Sequence, residues 1–185
     1  MTEKVKERAL YDDLVAAPED RIAEIVTGSL YLSPRPSLRH SRIVSTLGAD
    51  IHDAFDRARR GPGGWLILDE PEVHLLNDVV VPDIAGWRRD RVPATPEQVA
   101  MTIAPDWACE VLSPSTEQFD RREKLPWYLA VEVGHLWLVD PPFRRLEVYA
   151  RHAHEWILLE TYANEAVVSA PPFEAVPIEL APLWS

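Results

Sequence analysis

A single carboxylate in a buried strand limits the folds open to this chain. Trp107 to Leu112 is an apolar run broken only by Glu110. Its length suits a strand covered on both faces. Ser113-Pro114-Ser115-Thr116 then stops the strand and offers helix-capping side chains. Glu117 to Glu132 reads as a helix carrying Lys124, and Leu136 to Val139 as a second buried strand closed by Asp140-Pro141. The unit is strand, helix, strand. A charge taken out of water without a partner is too costly to persist. Glu110 therefore needs a proton, a cation or a metal ion beside it.

The basic residues point to one candidate partner. Lysine occurs only at Lys4, Lys6 and Lys124, and arginine is the usual cation elsewhere. Lys124 is the one lysine in the body of the chain, which suggests that an ammonium rather than a guanidinium is wanted there. The formal net charge of -11 argues against a broad basic surface for nucleic acid. It leaves room for an enzyme that holds nucleic acid locally, through a metal ion and a few arginines. The single cysteine, Cys109, rules out an internal disulfide and fits a reducing compartment, so a cytoplasmic location is expected. No apolar run reaches membrane-spanning length, and the first residues carry no signal-peptide core. With 185 residues the chain is expected to form one domain, 1–185, with the charged residues 1–9 flexible.

Elsewhere the patterns alternate between strand and helix. Leu10 to Ala17 reads as a short helix ended by Pro18. Arg21–Val26 and Ser29–Leu32 flank Gly28 as a hairpin. Leu38 to Arg60 is the longest helix candidate, with Ile43, Leu47, Ile51, Ala54 and Phe55 on one stripe and a Gly61-Pro62-Gly63-Gly64 stop. Trp65–Leu68, Glu72–Leu76 and Val79–Ala85 read as strands, the last bulged or at an edge because Pro82 cannot donate to a ladder. Arg145–Tyr149, Trp156–Thr161 and Ala166–Ser169 read as antiparallel strands. The class is mixed α/β: a mixed central sheet flanked by helices, with an antiparallel portion.

Asp83 is the second carboxylate set in an apolar strand, at a position where a bulge would re-aim it. Asp83 and Glu110 supply hard oxygen ligands suited to Mg²⁺ or Mn²⁺. Such an ion lowers the pKa of a bound water and polarises a phosphoryl oxygen, and Lys124 would orient water or stabilise developing charge. Glu24 is a further acid that could approach the same ion, and Glu72 a weaker one. His40, at the start of the long helix, is a candidate for contacting phosphate. Arginine clusters at Arg35/Arg39/Arg42, Arg88/Arg89/Arg91 and Arg121/Arg122 are candidate phosphate holders too.

Pro82-Asp83, then Glu110-Val111-Leu112, with a lysine on the following helix, resembles the PD-(D/E)XK nuclease superfamily in a migrated-lysine form. Leu112 stands where the usual lysine would be, so Lys124 must supply the amine. The longer run is similar to the Uma family of restriction-endonuclease-like proteins. It comprises Glu110-Val-Leu-Ser-Pro-Ser-Thr, Asp120, Lys124, Tyr128 and Trp137-Leu-Val-Asp140-Pro141. Glu24 and Gly28 match that family's early hairpin, and Pro34 and His40 its loop and long-helix start. The resemblance covers roughly residues 10 to 150. It implies a restriction-endonuclease-like core and a Mg²⁺- or Mn²⁺-dependent phosphodiesterase site. Catalysis would rest on Asp83, Glu110, Lys124 and Glu24, metal ligation on Asp83 and Glu110, and substrate contact on His40 and Arg122. It also implies a homodimer acting on DNA, with Trp-rich strands as a candidate interface. Pro126 departs from a smooth helix around Lys124 and bears on the aim of that side chain.

Blander roles stand beside these. Glu110 could pair with an arginine such as Arg122, Asp83 could end a strand, and Lys124 could be a solvated helix residue. Cys109 alternates away from Glu110 and should pack in the core. Tyr128 and Trp137 read as core aromatics. Ser113 and Ser115 have no His–acid partner at recognisable spacing, so capping explains them better than nucleophilic catalysis. The reading from another class is a non-catalytic nucleic-acid-binding or oligomeric interaction domain that keeps the nuclease fold. Metal-assisted hydrolysis of another phosphodiester is a third.

Overall fold

The computed structural model describes residues 1–185. Two sheets carry the molecule. The larger has six strands in the order β11-β10-β9-β8-β7-β4. These are β4 (Trp65–Asp69), β7 (Ile84–Arg88), β8 (Trp107–Val111), β9 (His135–Asp140), β10 (Arg145–His152) and β11 (Glu155–Ala163). All neighbours are antiparallel except β8 and β9, the two buried strands of the central unit, which run parallel. A parallel pair needs a crossover, and the helical segment between them supplies it. The smaller sheet, β1-β3-β2-β6-β5, comprises β1 (Glu3–Glu7), β2 (Arg21–Val26), β3 (Ser29–Pro34), β5 (Val73–Leu75) and β6 (Asp78–Val80). The pair β12 (Val167–Val168) and β13 (Ile178–Glu179) completes the strands. The mixed α/β class with a mixed central sheet is as the sequence indicates.

The central sheet is buried on both faces, and this explains its unbroken apolar strands. Trp107, Cys109 and Val111 of β8 point into one core with Ile43, Leu47, Ile51 and Phe55 of α2 (Leu38–Ile51 and the turn after it). Ala108 and Leu112 point into the other, with Trp127 and Tyr128. Glu110 shares that second face by alternation. The five tryptophans Trp65, Trp87, Trp107, Trp127 and Trp137 are buried in these cores, so the Trp-rich strands expected at an interface are interior instead. Truncating one such core side chain to Ala costs about 3–5 kcal/mol.

Four local expectations are corrected. Residues 1–9 are not free: Glu3–Glu7 forms β1, paired with β3, because the hairpin leaves a sheet edge open. Val79–Ala85 is not one strand. Pro82 cannot donate to a ladder, and the chain passes there from β6 in the small sheet to β7 in the large one. The long helix ends at Ile51, followed by a wider π turn over His52–Asp56. The second helix is built of α3 (Glu117–Phe119), a π turn over Asp120–Lys124 and α4 (Leu125–Ala130). That π turn absorbs Pro126. Leu125 N–H reaches back to Asp120 C=O, and Pro126 falls in the first turn of α4, where a missing N–H costs nothing.

The β2–β3 hairpin closes through Thr27 and Gly28, both at positive φ, the geometry of a two-residue type I′ turn. A short helix α1 (Tyr11–Val15) precedes it. Ser37 caps α2 by accepting from the His40 amide.

Candidate active site

Strand register brings the two predicted ligands together. Ile84 pairs with Cys109 across the antiparallel β7–β8 ladder, so the preceding residue, Asp83, falls beside Glu110. The Asp83 carboxylate is fixed there: Oδ2 accepts from Val111 N–H at 2.6 Å and meets His40 Nε2 at 3.2 Å. His40 reaches it because the Ser37 cap starts α2 at this end of the sheet. The other imidazole nitrogen, Nδ1, is buried without a partner. Burial pushes the His40 imidazole down, but the Asp83 carboxylate, reinforced by Asp120 and Glu70, outweighs it, and its pKa rises above the ordinary value.

Lys124 answers the demand that Glu110 makes. Its Nζ lies 2.7 Å from Glu110 Oε1 and 3.2 Å from Glu24 Oε1, and donates to Val81 C=O at 2.8 Å. Glu24 in turn accepts from Val81 N–H at 2.8 Å. Glu24 and Lys124 thus hold the backbone where the chain crosses between sheets. The group is deeply buried, with Lys124, Glu110 and Glu24 exposed by 2, 3 and 4 %. Tyr128 O–H donates to the same Glu110 oxygen. Glu110 pairs with Lys124 and not with Arg122, which is exposed on the π turn and outside the cavity that the others line.

Two participants were not singled out from sequence as site residues. Asp120 is 5 % exposed and lines the same cavity. Tyr128 read as a core aromatic, yet it orients Glu110. The signal was present: Asp120, Lys124 and Tyr128 recur at four-residue steps and so share one helix face.

The electrostatics are lopsided. Glu24, Glu70, Glu72, Asp83, Glu110 and Asp120 all line a cavity of about 530 Å³, whose cations are Lys124, Arg35 and, when protonated, His40. Glu72 is turned toward His74, at 2.9 Å. Burial, with Asp83, Asp120 and Glu24 adding to it, pushes the Glu110 carboxyl up, and Lys124 only partly offsets this. Burial likewise raises Asp120 to about 7. Burial alone would lower the Lys124 ammonium, but the surrounding carboxylates, Glu110 first, raise it above the ordinary range. The cluster is therefore short of positive charge.

The arginine loop after β7 lies elsewhere. Arg88–Arg91 leaves the end of the strand opposite Asp83. Arg89 bonds Asp56 past the far end of α2, while Arg91 and Arg88 pair with Asp106 and Asp90.

Comparison with known proteins agrees with this architecture. A family model, Uma2, described as "Putative restriction endonuclease", matches residues 9–181. The chain belongs to the Uma2 family. A crystal structure from Anabaena variabilis, titled as a putative nuclease belonging to DUF820, is similar in fold to this Uma2-family chain. Its TM-score is 0.74 at 24% identity, over 95% of this chain and 97% of that one. No curated protein matches the chain. No helix is long and apolar enough to cross a membrane.

Proposed function

We propose that the protein is a metal-dependent endonuclease that hydrolyses phosphodiester bonds of DNA at the Asp83–Glu110–Lys124 site. The observation that carries this reading is the buried excess of carboxylates over cations in one cavity. A phosphodiester is an anion and would be repelled by it unless a further cation were bound. No group of three or more His, Cys, Asp or Glu side chains is arranged to hold a metal ion unaided. The two-carboxylate donor set nonetheless fits Mg²⁺, which takes one or two carboxylates and keeps waters and substrate oxygens as its other ligands. Asp83 and Glu110 would hold Mg²⁺ or Mn²⁺, with Glu24 behind them. Once bound, the ion would supply Lewis acidity and a more acidic bound water.

The chain's own groups divide the remaining work. Lys124 stays protonated and is not a base; its ammonium is a fixed positive charge for the anionic transition state. Burial raises the Asp120 carboxyl to about 7 in the metal-free protein, so it is the site acid closest to exchanging a proton near neutrality. Tyr128 and Lys124 fix one oxygen of Glu110 and leave the other free of protein hydrogen bonds. A homodimer and a cytoplasmic location go with this reading and are checked by light scattering and cell fractionation.

One observation favours the alternative, a nucleic-acid-binding domain without catalysis. Lys124 Nζ is already committed to the protein, donating to Val81 C=O and paired with the Glu110 and Glu24 carboxylates, as in a structural clamp. Cleavage decides between them. Plasmid and single-stranded DNA are incubated with Mg²⁺, Mn²⁺ or EDTA and wild type, Asp83→Ala, Glu110→Ala or Lys124→Ala, each checked for folding by circular dichroism. Metal-dependent cutting lost in the folded Asp83→Ala and Glu110→Ala variants is the expected result. Cutting that survives those substitutions, or none by folded wild type, rejects the nuclease reading.

A further inference from the structure

We infer that the site takes a single, unpaired strand of nucleic acid rather than a duplex, and that Arg35, Arg39 and Arg42 hold that strand's phosphates at the mouth. This rests on the nuclease reading of the same cavity. Depth is the first observation. Glu24, Glu110, Asp120 and Lys124 are buried, and the side chains of Asp83 and His40 beside them are only 17 and 12 % exposed. The cavity, about 530 Å³, is of the size that encloses a small-molecule ligand. Two paired strands do not enter such a space, whereas a nucleotide or two of one strand does.

The second observation is the lining. Ile22, Phe119, Pro34, Pro36 and Pro114 give the cavity an apolar wall beside its carboxylates. An unstacked base and its sugar need such a surface, and binding of single strands draws on contact with base faces. A base stacked inside a duplex would not touch it.

The third observation is charge at the mouth. On this acidic protein most arginines near carboxylates are neutralised, including Arg60, Arg88, Arg89, Arg91, Arg121 and Arg145. Arg35, Arg39 and Arg42 are exposed, and none has a carboxylate within salt-bridge distance. Arg35 lines the cavity and donates to Glu19 C=O. Arg39 donates to Pro141 C=O, which ties the start of α2 to the chain leaving β9. Arg42 follows one turn along the outward side of α2. Of the three only Arg35 lines the cavity with Ser37 and His40; Arg39 and Arg42 continue the exposed positive charge from there over the outer side of α2. A strand whose phosphates lie on this ridge leads into the recess. Such contacts position a backbone without reading sequence.

The test measures binding and cutting separately, on one labelled oligonucleotide presented as a single strand and as a blunt duplex. Anisotropy in Ca²⁺, a hard cation that takes carboxylate oxygens and so relieves the repulsion in the cavity, reports binding across a salt series; Mn²⁺ in its place then starts any reaction. The inference expects the single strand to bind at least about tenfold tighter than the duplex and to be cut preferentially. Replacing all three ridge arginines (Arg35→Gln, Arg39→Gln, Arg42→Gln) should lower the salt slope by about 2, given about 0.7 per phosphate contact on a single strand. A control with Arg8→Gln, Arg57→Gln and Arg59→Gln, also exposed and without carboxylate partners, changes net charge equally and should keep the wild-type slope. Equal binding or equal cutting of the duplex overturns the inference, as does an unchanged slope in the ridge variant or an equal loss in the control. Tight, ridge-dependent single-strand binding with no cutting supports it while rejecting the nuclease reading.

Discussion

Lys124 Nζ stands 2.7 Å from Glu110 Oε1, with both side chains almost wholly removed from water. At that depth neither charge survives alone, so removing one partner is worse than the pair is good. Lys124→Met should destabilise the fold by about 3–5 kcal/mol, because Glu110 and Glu24 lose their cation and Val81 C=O its donor. Urea unfolding measures it. The double variant Lys124→Met/Glu110→Gln should recover part of the loss, since the amide needs no countercharge. A Lys124→Met protein as stable as wild type would mean that the pair does not hold the fold.

Tyr128→Phe isolates the second restraint on Glu110. The ring still fills its place between Trp127 and the sheet, and only the O–H donor is lost. Leaving the buried acceptor short of one donor should cost about 1–3 kcal/mol. If Glu110 is a metal ligand, releasing its orientation should also weaken Mn²⁺ binding by about 10-fold or more, read by calorimetry. An unchanged affinity would remove Tyr128 from the metal site.

Asp120 should give the metal-free protein a distinctive pH dependence. Its carboxyl is raised by burial from 3.8 to about 7 in the fold. Below pH 4 both folded and unfolded forms hold the proton, and nothing is lost. Between about pH 4 and 7 the unfolded chain releases it while the fold retains it, so the Asp120 contribution to stability falls as pH rises and levels off above 7. Asp120→Asn should therefore match wild type near pH 4 and melt several degrees higher at pH 8. Equal melting temperatures at pH 8 would show that the fold does not raise the Asp120 pKa.

Divalent metal should reverse that penalty. An ion that binds the fold and not the unfolded chain stabilises by about 2.7 kcal/mol at a hundredfold excess over its Kd. Wild type should melt higher in Mn²⁺ than in EDTA, and the gap should widen from pH 6 to pH 8 as the carboxyls ionise. Asp83→Asn and Glu110→Gln should show little or no gap. A wild-type protein indifferent to Mg²⁺ and Mn²⁺ would leave the excess acid without the cation assigned to it.

The sequence by itself determined the central unit. An apolar strand with one acid, a capped turn, a helix with the chain's one interior lysine and a second apolar strand can fold in few ways. Pairing the two strands in parallel, over the helix between them, is the way that buries both. Alternation along the strand already separated Cys109 from Glu110. What the linear pattern could not give was where distant backbone goes. Only tertiary structure sends the chain across sheets at Pro82, puts Val81 between Glu24 and Lys124, and aligns Asp83 with Glu110 by register. It also pairs β1 with the hairpin edge and sinks five tryptophans into the cores. Likewise it takes up Pro126 in a π turn and leaves Arg122 outside the cavity. The reason is physical: periodicity reports which face of an element is buried, through forces that are local and non-directional. A site is made by hydrogen bonds and charge pairs between elements, whose partners are chosen by the packing of the whole.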